Sequence, residues 1–216
     1  MLEDFTNVTV ALGVFWQSEN MSSAENQQER LLSEERKRWF LAGVIEGEGS
    51  VSVSVRRHPT AAFGYYVQPM FFIYQHRVRR ALLEMAMDYF EHGRIRPKPG
   101  NPDVLVFSIQ SRPVLRERVV PLLLDCEGLS ARMADFHKFA NVLRCFDEGV
   151  HKERSGLARI VEIAYSMNSN GKWRKQPIEP ILNRILRGHT PDTPSRGEDM
   201  VRSPWRRGEL DGTETV

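Results

Sequence analysis

The sequence predicts an α+β fold in the order αββαββα, with one antiparallel sheet packed under helices and additional helices toward the C-terminus. Three observations carry this. Ser50 to Arg56 alternates strictly, with Val51, Val53 and Val55 on one face and Ser50, Ser52, Ser54 and Arg56 on the other. A second alternating run, Tyr65 to His76, is followed directly by apolar residues at helical spacing. A further hairpin then repeats the order around the turn Pro99-Gly100-Asn101-Pro102.

Taken in order, the first element is a helix. Ser33 with Glu34, Glu35 and Arg36 makes a capping-box-like start, and apolar positions run helically to about Glu46. The Ser50–Arg56 strand follows, and His58 to Gly64 supplies the turn residues before the strand over 65–76. In that strand Val67, Phe71 and Ile73 share one face, while Tyr66, Gln68, Met70, Phe72, Tyr74 and His76 share the other. Val78, Leu82, Leu83, Met85 and Met87 then predict a helix over 77–90, and the second hairpin spans 93–98 and 104–109. Helices are expected at 113–124, 130–146, 157–167 and 179–186.

Composition limits the class. The 216 residues carry 30 Lys plus Arg and 28 Asp plus Glu, with 41% hydrophobic and 27% charged residues, as in an ordinary water-soluble domain. No stretch approaches the roughly 20 apolar residues of a membrane span. The apolar run 5–16 follows Glu3 and Asp4 where a secretory signal needs positive charge, so export is not expected. Cys126 and Cys145 fit neither a disulfide framework nor a zinc site and are expected as reduced thiols in the cytoplasm.

The net charge of +2 conceals a segregation. Before Arg30 there are five carboxylates and no cation, so 1–31 reads as an acidic, poorly ordered leader, with Met21 an alternative start. Between Ser50 and Lys98, eight arginines and lysines face only three carboxylates. From 188 to 216 Pro, Gly, Ser and Thr dominate without periodicity, which predicts a disordered tail and leaves 32–187 as the folded domain. The polar faces of the strands carry Ser52, Ser54, Arg56, Gln68, Tyr74 and His76, then Arg94, Arg96 and Lys98. Such a face is either a solvated surface or one that lies along a nucleic-acid groove, where Arg and Gln pair with base edges.

One string is physically anomalous. The first helix ends Leu41-Ala42-Gly43-Val44-Ile45-Glu46-Gly47-Glu48-Gly49, and two glycines there cost about 1 kcal/mol each against alanine. Gly43 and Gly47, four residues apart, share a face on which a second helix backbone can approach closely. Glu46 and Glu48 stand at the negative end of the helix dipole, which disfavours them unless a cation compensates, and a divalent metal is such a cation.

This string resembles the LAGLIDADG motif of the homing endonucleases, with Val for Leu and Glu at both Asp positions. The resemblance extends through Phe71 to Arg77, Gly93-Arg94-Ile95, Val119-Val120-Pro121, Ser130 to Phe136 and Met167 to Lys172. It implies an αββαββα endonuclease fold with an antiparallel DNA-binding sheet. It also implies a site-specific enzyme making double-strand breaks in a long, roughly two-fold symmetric target by metal-dependent phosphodiester hydrolysis. The alternatives are a DNA-binding regulator of this fold that does not cleave, or an RNA maturase assisting intron splicing.

The resemblance implies site residues as well. The metal ligand is Glu48 with the carbonyl of Gly47, and the metal is Mg2+, with Mn2+ as the alternative. Gln75 would order the attacking water, and Arg132, standing where the family usually has Lys, would place fixed positive charge near the phosphate. Glu46 is expected to fix the helix end. With one motif per chain the enzyme would be a homodimer packed through Ala42, Gly43 and Gly47. On double-stranded DNA, Ser52, Ser54, Arg56, Gln68, Tyr74, His76, Arg94, Arg96 and Lys98 would line the groove. Arg79, Asn168, Lys172 and Arg174 would meet phosphates, and Met70 and Phe72 either touch thymine methyls or belong to the core.

Overall fold

In the computed structural model the described residues are 33–127, 130–170, 174 and 176–187, with positions 27, 30 and 31 ahead of them. The leader and the tail therefore lie outside the described residues, apart from those three positions, which are helical. Two compact units divide between Gly47 and Glu48.

The first unit is described as helix α1, whose last residue is Glu48 (residues 33–48). Leu41, Ala42 and Ile45 are buried, while Trp39 and Phe40 are 46% and 52% exposed. Helical residues at 30 and 31 place Ser33 inside the helix and not at its N-cap. The fourth place of its capping box is Arg36, which cannot return the second hydrogen bond that a Glu or Gln would supply.

The second unit is built on a four-stranded antiparallel sheet of order β1-β2-β4-β3. The strands are β1 (Gly49–Arg57), β2 (Tyr65–His76), β3 (Arg94–Lys98) and β4 (Asn101–Ile109). A 3-10 turn, Arg77–Arg79, leads into α2 (Arg80–Phe90). After β4 come α3 (Arg112–Val114), a π turn (Leu115–Val119) and α4 (Val120–Leu124), so the helix expected over 113–124 is interrupted. Pro121 explains the interruption locally, because it has no N–H to give the carbonyl four residues back. Helices α5 (Met133–Asp147), α6 (Arg154–Tyr165), α7 (Met167–Asn170) and α8 (Ile178–Arg187) complete the unit. Among the described residues no helix is long and apolar enough to cross a membrane.

The register sorts the faces. Val51 opposes Phe71, Phe71 opposes Ile109, and Ile73 and Ile95 both oppose Phe107. These odd-numbered side chains pack against the helices. Phe71, Phe90 and Phe107 form the aromatic centre of the core, Phe90 stacked on Phe107 at 6.1 Å and Phe71 edge-on to both. Leu83, Ala86 and Phe90 line the buried side of α2 at intervals of three and four.

Gly93, which joins α2 to β3, is the point where this core meets a backbone constraint. Its φ is +121°, and a Cβ there would lie 2.3 Å from the Phe107 ring. That ring is held between two others and cannot swing aside. Gly93→Ala is therefore expected to lower unfolding free energy by about 2 to 4 kcal/mol, combining backbone strain with overpacking. Urea denaturation checks this; a loss below about 0.5 kcal/mol would mean that the ring has room to move.

Candidate nucleic-acid interface and hydrolytic centre

The face of the sheet away from the helices is set by the even-numbered residues. Ser50, Ser52, Ser54 and Arg56 stand opposite Phe72, Met70, Gln68 and Tyr66, and Val106 and Ser108 stand opposite Arg96 and Arg94. Strands β1, β2 and β3 contain no carboxylate at all. The predicted residues Ser52, Ser54, Arg56, Gln68, Tyr74, His76, Arg94, Arg96 and Lys98 thus share one basic, hydrogen-bonding surface. Gln110 belongs to it too, two residues beyond Ser108. Continuing the β4 alternation past Phe107 is the sequence signal that reveals both.

Several of these side chains are positioned by neighbours. The Arg56 Nε donates to Ser54 Oγ at 2.9 Å, which lays the guanidinium along the strand. Gln68 Nε2 donates to Gln110 Oε1 at 3.1 Å. His76 is exposed and its Nδ1 accepts the Val78 N–H, capping the turn that carries the exposed Arg79. Lys98 Nζ lies 5.5 Å over the Tyr74 ring. Burial pushes the Tyr74 phenol above its usual pKa.

Met70 and Phe72 are 6% and 7% exposed and form a small second cluster with Val106, Tyr74 packing against it. They are thus covered within the chain and do not project as probes for thymine methyls. A floor of apolar groups under long basic side chains is the arrangement in which Arg and Lys stems bury their methylenes and keep their charged ends in water.

At the other end of the surface stands Glu48, exposed, with Gly49 beginning β1 opposite Ile73. Arg132 Nη1 donates to the Gly49 carbonyl at 2.7 Å, and its guanidinium lies 5.5 Å over the Phe136 ring. Its backbone N–H is held by Ser130 Oγ at 3.0 Å. The loop before α5 therefore fixes a cation beside the residue that follows Glu48. No carboxylate or cation among the described residues pairs with Glu48. Nor is there, among the described residues, a group of three or more His, Cys, Asp or Glu that would hold a metal by itself. In α1, Gly43 and Gly47 are exposed, and a Cβ added to either meets nothing within 4 Å.

Four of the expected site residues are engaged within the chain. Gln75 is 8% exposed on the odd-numbered, helix-facing side, and its Oε1 accepts the His76 N–H at 3.1 Å. Asn168, with φ +50°, donates through Nδ2 to the Val51 carbonyl at 3.0 Å, while its N–H is held by Asp135 Oδ2. Arg174 donates to the carbonyls of Val53 and Ala164 and stacks over Tyr165 at 4.3 Å. Burial holds its pKa below the usual arginine value. Both residues tie the helical layer to β1 and are not aimed at phosphates. Ala42 is 8% exposed within its own chain, whereas Gly43 and Gly47 are exposed. Lys172 lies outside the described residues.

Comparison with known proteins gives this arrangement a family. The family model of the LAGLIDADG endonucleases matches residues 41–143. The chain is 42% identical over 125 residues to the DNA endonuclease I-CeuI of Chlamydomonas moewusii, a match that covers 56% of this chain and 57% of that protein. Among solved structures it resembles the homing endonuclease I-TnaI, with 30% identity and a TM-score of 0.60, over 68% of this chain and 97% of that one. It also resembles the archaeal intron-encoded homing endonuclease I-Vdi141I complexed with DNA, at 27% identity and a TM-score of 0.65, over 70% of this chain and 96% of that one. The chain belongs to the LAGLIDADG endonuclease family.

If Arg174 is a structural tie, Arg174→Met should cost about 2 to 4 kcal/mol of stability through two unpaired carbonyls. The same variant, measured where it is folded, should change DNA affinity less than twofold. A stable variant that binds DNA at least tenfold more weakly would restore the phosphate role.

Proposed function

We propose that the chain is a site-specific DNA endonuclease that works as a homodimer on a roughly two-fold symmetric target. The observation that carries this is the placement of Glu48: an exposed carboxylate at the junction of α1 and β1, at one end of a basic sheet face free of carboxylates. DNA lying along that face would be held by cations from β1 and β3 and presented to a single carboxylate at its inner end. One carboxylate is half of what two scissile strands need. Gly43 and Gly47, open on α1 beside exposed Trp39 and Phe40, give a second copy of the helix room to pack closely.

Glu48 and the Gly47 carbonyl are hard oxygen donors, and the carbonyls of a helix's last turn have no intrahelical donor of their own. They fit a divalent cation such as Mg2+. When bound, the ion supplies charge stabilisation for the attacking and leaving oxygens of phosphodiester hydrolysis. The protein's own part is positional. Glu48 is held at the start of β1 by the Gly49–Ile73 pairing, and Arg132, anchored on the Gly49 carbonyl, brings a permanent positive charge beside it. That charge offsets the extra negative charge of the pentavalent transition state. An arginine stays protonated, so Arg132 stabilises charge and does not relay protons.

The sheet reads sequence, and its Arg and Gln side chains are the ones suited to base edges. Arg96→Ala is expected to relax preference at one base pair per half-site by about 1 to 3 kcal/mol. Uniform weakening over all sequences would assign Arg96 to a phosphate instead.

A DNA target obtained by selection from a random library tests the enzyme. With Mg2+ the wild-type protein should cut both strands. Glu48→Gln should reduce cleavage at least about a hundredfold while leaving DNA affinity within about threefold. Wild-type binding with no cleavage in Mg2+ or Mn2+ would favour a non-cleaving DNA-binding protein of the same fold. Sedimentation giving a monomer both free and on DNA would exclude the homodimer.

A further inference from the structure

At the end of the sheet remote from Glu48, β2 runs beyond its pairing with β4. The β2–β4 register begins with Phe71 opposite Ile109, whereas β2 itself begins at Tyr65. Pro69, which has no N–H to offer a neighbour, falls in that unpaired stretch. The chain leaves the sheet after Ile109 and turns into α3, and a cleft of about 600 Å³ opens there. Phe63, Phe146 and Leu157 contribute apolar lining, Arg112, His151 and Lys152 contribute nitrogen, and no carboxylate lines it.

Some of the cations near this cleft are paired with carboxylates. Arg116 is compensated by Glu117 and Asp147, Arg118 by Glu91, and Arg144 by Glu148. No carboxylate among the described residues pairs with Arg112 or Lys152. Arg112 instead lies 4.9 Å over the Phe146 ring, against which His151 also packs at 4.7 Å. His151 Nδ1 is, among the described residues, the one buried side-chain nitrogen or oxygen without a hydrogen-bond partner. Burial, with Arg112 and Lys152 nearby, holds that imidazole below its usual pKa. Two exposed cations without a carboxylate partner and a ring nitrogen without a hydrogen-bond partner thus line one cavity, and charge-assisted hydrogen bonds from such groups suit an anion.

We infer that this cleft binds a phosphate group, supplied by a phosphodiester of bound DNA at the outer end of each half-site. The source of the phosphate rests on the endonuclease reading above; the chemistry of the cleft does not. Gln68 and Gln110, hydrogen-bonded to each other, belong both to the cleft lining and to the basic face of the sheet, so the two surfaces are continuous. Along β2 the cleft-lining Tyr65 to Pro69 stand four to eight residues from Ile73, the partner of Gly49, which is about 14 to 27 Å. At about 3.4 Å per nucleotide the phosphate would sit about four to eight steps outward from the one at Glu48.

The test replaces single phosphates of the selected target, one at a time, with uncharged methylphosphonates and compares wild-type protein with Arg112→Gln/Lys152→Gln and with Lys152→Gln alone. Lys152 is exposed, so the single variant keeps the fold. Wild-type affinity should fall about tenfold at one outer phosphate per half-site, while the double variant should be insensitive there and remain sensitive elsewhere. Equal sensitivity of wild type and double variant at every phosphate would overturn the DNA phosphate as occupant. In parallel, inorganic phosphate is titrated into DNA-free protein while the His151 ring resonances are followed. A saturable shift lost in the variants supports the anion site and, without the outer-phosphate effect, names free phosphate as its source. No shift together with no position-specific coupling overturns the site altogether. If the chain bound no DNA, the endonuclease reading would fail and the phosphate titration would still decide the cleft.

Discussion

The junction at Glu48 and Gly49 is the constraint on which the rest depends. Gly49 is the first residue of the sheet, paired with Ile73, and its carbonyl accepts the guanidinium of Arg132 from a loop 83 residues away. That one residue sets the register of β1, and with it which side chains reach the basic face and where the preceding carboxylate stands. A slip of one residue would turn Ser52, Ser54 and Arg56 toward the helices and Val51 and Val53 toward solvent. The core resists such a slip, since Val51 and Val53 are fully buried.

Period-two and helical patterns made most of this architecture legible. The β2 limits at Tyr65 and His76 coincide with the alternating run, because aromatic and β-branched residues with a turn before them leave little choice. The basic face was legible for the same reason, since alternation decides side without knowledge of packing. Boundaries moved where backbone chemistry intervened: Pro121 breaks regular hydrogen bonding in the helix after β4, and α1 passes through Ser33.

Side-chain roles were legible only where register decided them. Gln75 carries an odd number in β2, so the alternation itself puts it on the side of Ile73. Asn168 and Arg174 are another matter. Their partners, the carbonyls of Val51 and Val53, lie 117 and 121 residues earlier in the chain. No local pattern separates a polar side chain that satisfies a distant backbone from one that meets a ligand, and an edge strand needs such partners for its outward groups. Arg112, His151 and Lys152 escaped for a similar reason: residues on two segments far apart in the chain acquire meaning only when the end of β4 opens a cavity between them.

The central claim is that each chain supplies one carboxylate to a site shared by two chains. Mixing wild-type and Glu48→Gln protomers in varied proportions, allowing them to exchange, and measuring double-strand cleavage at fixed total protein tests it most directly. Cleavage should fall with the square of the wild-type fraction, since both protomers must carry the carboxylate. A linear fall would show that one chain cuts both strands alone and would contradict it.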